Sequence, residues 1–503
     1  ASIQGEVFTA EAVARVLDLD ADQVVGCLSG PLTNKHNMVR AQDLEWLGDQ
    51  RLSHYRFRHF LFQKYLYDQF DPVEQAHYHQ HMGSALEGLY GDQTGELAVS
   101  LAWHFESAGM QLKAAEYLRQ AGNRAVEMFA YEEAISRIRH GLDLIKSLPK
   151  SQQRDQVEIS LLLALGLPLV AVKGLSDAAY EQIYRRVQEL AQNIEPSSEL
   201  FQGLMGLKWY YDERLELQTA LKVGYEMQTL AQTLEKPELL LLAYLEIGIT
   251  LLYLGRAEDF LKQQQQTLAL YNAEYDGSLD EKLGYDPLID ILLKTGWALS
   301  FLGYADQAEE SYKKVFSMVS EMRQPFYQAN VLLNLARHYI SAREVTRARE
   351  MAEEALTLAR KHSYLSGLGS AYGVMGWLLG EEGQLEEGID MIHKGLAVEK
   401  DIRSRLVYQA ELSLLADTYR KAGKLSDGLA VIEEALKLVQ DTGYSLGEAE
   451  IHRIKGELLL LEGGVEDKAQ ACFQRASEIA KAQKAKSSEL RATISLCRLM
   501  QKQ

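Results

Sequence analysis

Cysteine, proline and long apolar runs are scarce in this chain of 503 residues. The cysteines form an odd and scattered set, which excludes a disulfide framework or a paired-cysteine zinc site and favours a reducing compartment: Cys27, Cys472 and Cys497. Only eight prolines interrupt the chain, so long helices can form throughout. No stretch approaches the roughly 18 consecutive apolar residues of a membrane span. We therefore expect a cytoplasmic protein with no membrane partner.

Basic charge is also in short supply. The chain has 53 Lys and Arg against 71 Asp and Glu, a formal net charge of −18. A protein that binds nucleic acid generally carries a basic surface that displaces counterions from the phosphates. We therefore expect no nucleic-acid partner. The acidic balance suits a soluble cytoplasmic protein.

Catalytic and nucleotide-binding motifs are missing as well. The sequence contains no GxxxxGK[ST], no GxGxxG between a strand and a helix, no GxSxG and no HExxH. No nucleophile, base and orienting group can be assembled from the remaining residues. We predict that the chain is not an enzyme and holds no cofactor of its own.

What the sequence does contain is a repeat with a step of forty residues between about 286 and 480. A small residue returns at Gly296, Ala336, Gly376, Ala416 and Gly456. A second column lies seven residues later, with Arg343 as the exception among Gly303, Gly383, Gly423 and Gly463. Fixed-period self-similarity indicates stacked supersecondary units. The spacing predicts an all-α, TPR-like right-handed superhelix whose helices cross at the small residues.

Four segments are predicted along the chain. Two helices followed by two short strands and a helix indicate a winged-helix domain over 1–70. Linker helices and the first TPR-like units follow over 71–150, and irregular units with an insert at 271–287 occupy 151–285. Five regular units and a capping helix complete 286–503. Because the first residue is Ala1, we expect a fragment that begins inside a larger protein, with its winged-helix domain incomplete.

A winged helix raises the alternative of a DNA-binding regulator. Residues 1–70 hold 7 Lys and Arg against 9 Asp and Glu. A domain that reads DNA should be basic. The charge therefore disfavours a DNA-binding role for this segment.

The concave face of the predicted superhelix is the candidate binding site. The residue after each small crossing residue should point there, and so should one residue a turn later: Trp297, Arg337, Trp377, Asp417 and Arg420. Tryptophan and arginine are favoured anchors of binding surfaces. Two interpretations stay open. Either these residues line a groove for a ligand or peptide, or the indoles pack against neighbouring helices.

Two clusters invite a metal interpretation that we do not favour. On a helix, His77 and His81 share a face while His79 points away, and zinc needs three or four convergent ligands. We expect a partly buried His79 and two solvated histidines. The acids of the insert lack the ligand spacing of a calcium loop, so a solvated loop is expected at Asp276, Asp280 and Glu281.

Three stretches together resemble the C-terminal half of bacterial STAND-class signalling ATPases. They are ASIQGEVFTAEAVARVL, YRFRHFLFQKYLYDQF and the close from GEAEIHRIKGELLLLEGG onward. In that family an effector domain and a P-loop ATPase domain precede a winged helix and a TPR sensor array. The resemblance covers essentially the whole chain, although the P-loop domain itself is absent.

The resemblance implies a switch. The winged helix closes on ADP, and a small-molecule inducer or a partner protein on the array releases it. ATP or ADP would then belong to the parent protein, and the upstream nucleotide-binding domain would be a partner of this chain. The family's nucleotide-sensing histidine corresponds to His59, next to Arg58, although His59 could equally be a helix cap or core histidine. The alternative function is a constitutive TPR scaffold without a nucleotide switch.

Overall fold

The computed structural model describes residues 1–48, 50–191, 196–274, 286–322, 324–463 and 465–502. The chain divides into two compact units, Ala1–Pro168 and Leu169–Gln503. They are called unit 1 and unit 2 below.

Unit 1 begins with short helices and a three-stranded antiparallel sheet. Its elements are β1 (Val7–Thr9), α1 (Ala10–Leu17), α2 (Ala21–Cys27), a π-helical segment (Leu28–Lys35), β2 (Val39–Leu47), β3 (Gln50–Phe57) and α3 (Phe60–Tyr67). Strand β3 is central and pairs with both β1 and β2. Phe8, Leu52 and Tyr55 are buried in the core beneath it. The Asp20 carboxylate accepts hydrogen bonds from the first amides of α2 and so fixes its start.

Helices make up the rest of unit 1. They are α4 (Pro72–Tyr90), a 3-10 segment (Gly91–Leu97), α5 (Ala98–Ser107), α6 (Gln111–Glu127), α7 (Tyr131–Lys146) and α8 (Gln152–Lys173), which continues into unit 2. Asp71 and Glu74 form a reciprocal capping box at the start of α4, with Pro72 in the first turn. A Cβ atom on Gly122 would lie 2.5 Å from Ile138, so α6 and α7 approach closely there.

Helix α8 has an unusually apolar composition. Among the described residues it is the one helix long and apolar enough to cross a membrane, and 56% of its most apolar window is buried inside the protein. Core helices meet the same criterion, so the feature is weak evidence for a membrane span.

Unit 2 is a solenoid of helical repeats, which confirms the predicted fold class. After α9 (Ala178–Ala191), its pairs are α10 (Ser198–Glu213) with α11 (Leu217–Thr233), α12 (Pro237–Tyr253) with α13 (Ala257–Glu274), α14 (Leu288–Leu302) with α15 (Ala305–Val319), α16 (Pro325–Ser341) with α17 (Val345–His362), α18 (Leu365–Glu381) with α19 (Leu385–Asp401), α20 (Arg405–Lys421) with α21 (Leu425–Thr442), and α22 (Glu448–Glu462) with α23 (Glu466–Ala482). Helix α24 (Lys486–Lys502) follows the last pair. Each pair packs on the next, as in other stacked repeats.

Two columns of small residues shape these pairs. The turn column has a positive φ in the regular pairs, from 63° at Arg343 to 93° at Gly303. Glycine adopts this left-handed conformation without strain, which explains its recurrence there. At the helix crossing of the third regular pair, a Cβ on Gly376 would lie 2.6 Å from the carbonyl oxygen of Gly388. The crossing therefore needs glycine on both helices.

Unit 2 also makes contacts that skip several repeats. The Ser404 hydroxyl at the start of α20 donates to the Glu213 carboxylate at the end of α10, 191 residues earlier. The backbone amide of Ser445 donates to the Tyr253 carbonyl oxygen over 3.2 Å. The Ser487 hydroxyl donates to the Ser300 carbonyl oxygen over 2.7 Å, and Lys484 pairs with Glu258. We call the first of these contacts, Ser404 with Glu213, the closure contact.

Candidate functional site: the inner face of unit 2

The first helices of successive pairs contact one another from α12 to α22. We use the term inner face for the surface along which these first helices, together with α10, contact one another. Lys208 of α10 contacts Glu246 of α12. Further along, Arg337 of α16 contacts Ser370 of α18, and Trp377 of α18 contacts Asp417 of α20. The inner face is therefore rich in charged and aromatic side chains.

Three of the residues predicted for the binding site form one buried cluster. The indole of Trp377, 1% exposed, donates to the Asp417 carboxylate over 3.0 Å. Arg420 and Lys421 reach the same carboxylate at 2.8 and 3.0 Å. Burial alone would raise the pKa of Asp417, but Lys421, Arg420 and the indole hold it well below its usual range. A ligand can reach Trp377 only if neighbouring helices separate.

The other two predicted residues lie elsewhere on the inner face. Trp297 is half-buried, with the Lys294 ammonium 5.0 Å from its ring centroid. The guanidinium of Arg337 donates from Nη2 to the Ser370 hydroxyl over 2.6 Å, while its buried Nε has no hydrogen-bond partner in the part of the chain that the structure describes. The structure therefore brings together Trp377, Asp417 and Arg420, whereas Trp297 and Arg337 contact other side chains.

A buried lysine cluster on α10 and α12 was not predicted from the sequence. Lys208 is fully buried, and its ammonium lies 2.5 Å from both Asp212 and Glu246. Trp209 donates to the second Glu246 oxygen over 2.8 Å, and Thr250 donates to the second Asp212 oxygen over 2.9 Å. We call these five residues the lysine cluster. Every carboxylate oxygen in it has a donor, so it is complete without a ligand.

The lysine cluster shifts the pKa of its own members. Burial lowers the pKa of Lys208, but Asp212 and Glu246 outweigh burial and raise it. Burial raises the pKa of Asp212 although Lys208 opposes the rise. The spacing of Lys208 and Asp212, four residues apart on one helix, was the available signal. It was missed because Glu246, which completes the cluster, lies 38 residues from Lys208.

An acid pair on α19 and α20 was also missed. Glu399 and Glu411 are both fully buried, and none of their four carboxylate oxygens has a hydrogen-bond partner among the described residues. Burial and the neighbouring Glu411 raise the pKa of Glu399, and burial raises the pKa of Glu411 to about 8. We call these two residues the acid pair.

A cavity of about 410 Å³ opens between α21 and α22. Its walls combine apolar and polar groups: Leu436, Val439, Gln440, Gly443, Ser445, Glu448 and His452. Burial lowers the pKa of His452 to about 4, so this imidazole is neutral at pH 7. The cavity borders Ser445, whose amide donates to Tyr253, and so it adjoins the inner face.

His59 and Arg58, the predicted nucleotide-sensing residues, are both exposed in unit 1. His59 is the N-cap of α3, and its Nδ1 accepts a hydrogen bond from the Leu61 amide over 3.2 Å. Arg58 donates from Nε to the Val39 carbonyl oxygen. Helix α3 buries no residue and carries exposed apolar side chains at Phe60, Leu61, Phe62 and Tyr65.

The histidine run on α4 is arranged much as expected. His77 and His81 are exposed and lie side by side, whereas His79 is fully buried. Its Nδ1 lies 2.8 Å from Nδ1 of the buried His104, and its Nε2 lies 3.0 Å from the Tyr67 hydroxyl. Burial lowers the pKa of His79 to about 4 and that of His104 to about 3. Among the described residues no three metal-binding side chains converge. Asp276, Asp280 and Glu281 lie outside the described residues.

No protein-family model matches the sequence. An uncharacterized protein of Rhizobium meliloti (strain 1021) is 24% identical over 457 residues, covering 88% of this chain and 43% of that protein. The chain thus spans less than half the length of the curated relative that it matches.

Solved structures give a clearer match to the fold. A Rap protein complexed with the competence and sporulation factor superimposes with a TM-score of 0.53 at 11% identity, over 73% of this chain and 98% of that one. The APC/C hetero-tetramer Cut9-Hcn1 matches with a TM-score of 0.43 at 12% identity, over 87% of this chain and 92% of that chain. The first likeness agrees with the helix pairs described above: the chain has a TPR-like helical-repeat fold.

Proposed function

We propose that this chain is the regulatory sensor and interaction region of a STAND-type signalling ATPase. Unit 2 receives an inducer ligand or a partner protein on its inner face, and the start of unit 1 is a winged helix that works against an upstream nucleotide-binding domain. The chain itself carries out no catalysis in this proposal, and ATP or ADP is bound by the parent protein.

The supporting observation is that two cations of the inner face, Lys294 and Arg337, form no ion pair within the described part of the chain. Lys294 is half-buried beside Trp297 and forms no ion pair with the described residues. Burial lowers its pKa although Asp290 opposes this effect. Arg337 likewise has a hydroxyl partner but no carboxylate within ion-pair distance among the described residues. Enclosed charges without partners are costly in a purely structural solenoid and useful in a binding surface.

Two further observations support a longer parent protein. The matched relative extends well beyond the region that it shares with this chain. Phe60, Leu61 and Tyr65 on α3 are 53%, 54% and 66% exposed beside His59. An apolar patch of this kind is typical of an interaction surface. In the proposal it contacts the nucleotide-binding domain, and His59 reaches a phosphate of the bound nucleotide.

The alternative function is a constitutive scaffold that holds partner proteins without a switch. Contacts such as Ser404 with Glu213 favour it, because they hold the first helices of the pairs together. In that case a partner would bind to the second helices of the pairs. The two proposals differ in what precedes unit 1 and in which face binds.

The nucleotide arm of the proposal can be tested in the full-length natural protein. Its upstream sequence should contain GxxxxGK[ST], and it should bind the fluorescent probe mant-ADP. The His59→Ala variant should bind the probe more weakly, while His81→Ala, an exposed histidine remote from α3 in sequence, should not. An upstream region without a P-loop, or equal binding by all three proteins, would leave the scaffold as the better explanation.

The inner-face arm needs a different readout. Native mass spectrometry of the full-length protein purified from its own host should show a retained ligand or partner. Lys294→Gln should lose this species, whereas Lys314→Gln, an exposed lysine on α15, should retain it. A species kept by both variants would place binding away from the inner face.

A further inference from the structure

The acid pair differs from Asp417, the other buried acid described on α18 to α20, because it forms no ion pair and no well-aligned hydrogen bond with the described residues. Glu399 belongs to α19 and Glu411 to α20, and both have 0% exposure. Neither carboxylate has a hydrogen-bond partner among the described residues. A buried carboxylate left in this condition would cost several kcal/mol, so a cation must accompany it.

Three glycines make room for these two carboxyl groups. A Cβ on Gly373 would lie 2.6 Å from the Glu411 carboxyl carbon, and one on Gly395 would lie 3.0 Å from its Oε2. A Cβ on Gly369 would overlap Oε1 of Glu399. Among the described residues there is also no group of three metal-binding side chains. The described residues thus supply neither a metal-ligand set nor an ammonium group at the pair, and a proton is the cation that needs no further ligand.

The charged groups that face the pair come from two more helices. Glu213 of α10 adds a third carboxyl group, and together with Glu411 it raises the pKa of Glu399 further than burial alone. Ser404 and Arg337 oppose that rise, and Arg337 also opposes the rise at Glu411. Helix α18 lies against the pair through Gly369 and Gly373. Among the described residues, Arg337 is thus the nearby cation and Glu213 the additional acid.

The closure contact lies directly beside the pair. The amide of Ser404 donates to the Glu399 carbonyl oxygen over 2.9 Å, while its hydroxyl donates to Glu213. Next to it, Ile402 lies against Gly174, where a Cβ would be 3.3 Å away. A negative charge that appeared on the pair would repel Glu213 across this contact.

We propose that Glu399 and Glu411 form a proton-binding site that holds the closure contact between α10 and α20 shut. With the proton bound, the pair and Glu213 coexist in the protein interior. When the proton leaves, repulsion from Glu213 loosens the closure contact and uncovers the adjoining inner face. Only this last consequence rests on the proposed function, because the proton and the contact can both be measured without any partner.

Infrared difference spectroscopy tests for the proton in the full chain. The wild type should show the carbonyl band of a protonated carboxyl group at pH 6, and this band should disappear as the pH rises through about 8. Glu399→Gln and Glu411→Gln should each weaken or abolish the band at unchanged volume. Glu310→Gln, an exposed acid on α15, should leave it intact. Absence of a titrating band from the wild type would overturn the proposal.

Hydrogen exchange tests the closure contact. Between pH 6 and 9, amides of α10 and α20 should lose protection in the wild type by more than the intrinsic acceleration at higher pH. This loss should be absent from the double variant Glu399→Gln with Glu411→Gln, in which neither position can ionise, and present in Glu310→Gln. A titrating band without any change in protection would show that the pair binds a proton but does not control the contact, and would overturn the closure role.

Both outcomes are independent of the proposed function. A failure to find a P-loop upstream or a ligand on the inner face would leave these spectra unchanged. Conversely, a missing carboxyl band would refute the proton-binding site and would not affect the nucleotide-binding test.

Discussion

The lysine cluster and the acid pair are two buried charged groups in the same unit, and they balance charge in opposite ways. In the lysine cluster, one ammonium and two neutral donors satisfy all four oxygens of Asp212 and Glu246. In the acid pair, none of the four oxygens has a well-aligned hydrogen-bond donor among the described residues. The lysine cluster is a finished structural element, whereas the acid pair is complete only with a proton.

The two groups should therefore differ in role: the lysine cluster stabilises the fold, whereas the acid pair responds to a change in conditions. Removal of a partner from the lysine cluster should cost stability at any pH near neutrality. The acid pair should respond to pH instead, because its compensating cation exchanges with solvent.

Replacement of Lys208 by methionine should destabilise the protein most. It leaves two carboxylates buried without their shared cation, which typically costs about 3–5 kcal/mol. Urea unfolding at pH 7, followed by tryptophan fluorescence, measures the loss. Lys314→Met, at an exposed lysine of α15, is the matched control and should be nearly silent. A loss below about 1 kcal/mol would mean that the lysine cluster is not held by its charges.

The acid pair should make the free energy of unfolding fall as the pH rises. The folded state holds the Glu411 proton more tightly than the unfolded chain, whose ordinary pKa is 4.5. Its contribution is therefore favourable below pH 4.5 and is lost progressively up to about pH 8. The slope should be about 1.4 kcal/mol per pH unit for one proton.

The difference between wild type and Glu411→Gln isolates this slope from other titrating groups. The variant should be relatively more stable at pH 8 than at pH 5 when both proteins are unfolded in urea. Parallel pH profiles for the two proteins would contradict the assignment of the proton to the pair.

Trp377→Phe should have an intermediate effect. It keeps most of the buried ring but removes the donor to Asp417, whose remaining partners are Arg420 and Lys421. The expected loss is about 1–2 kcal/mol. Thermal unfolding compared with Trp46→Phe, at an exposed tryptophan of unit 1, checks it. Stability equal to the wild type would show that the two cations alone satisfy Asp417.

Arg343→Gly should have the smallest effect. Arg343 occupies the turn column with a φ of 63°, where glycine relieves strain, but it also pairs with Glu381 at an exposed position. We expect these contributions to offset each other to within about 1 kcal/mol. Gly383→Arg, the reverse change one repeat later, should be destabilising in the same thermal unfolding assay. A larger loss of stability in Arg343→Gly would show that the ion pair with Glu381 contributes more than an exposed ion pair usually does.

The regular repeat made much of unit 2 predictable. The step of forty residues identified the turn column, and the close approach of Gly376 to Gly388 has the geometry expected of a helix crossing. Trp377 and Asp417 were assigned to one column, and the structure joins them directly across neighbouring repeats. Periodicity carries this information because such contacts recur between adjacent units.

The buried charges could not be read in the same way. Glu399 and Glu411 look like ordinary surface acids on repeat helices. The glycine backbone of α18 and α19 lies against their carboxyl groups, and Glu213 approaches from a repeat far upstream. The role of Lys208 could not be predicted without knowing that Glu246, in the irregular part of the array, lies beside it. Burial of these groups depends on how far the helices turn, a cumulative property that no single repeat encodes.

The contact of Ser404 with Glu213 has a consequence for how this solenoid can evolve. Open repeat proteins gain or lose whole units readily, since each unit touches only its neighbours. Here, deletion of one repeat between α10 and α20 would bring a different helix opposite Glu213. The hydrogen bond from Ser404 to Glu213 would then be lost. The number of units between the two helices is therefore constrained, and homologues should vary in length outside this interval.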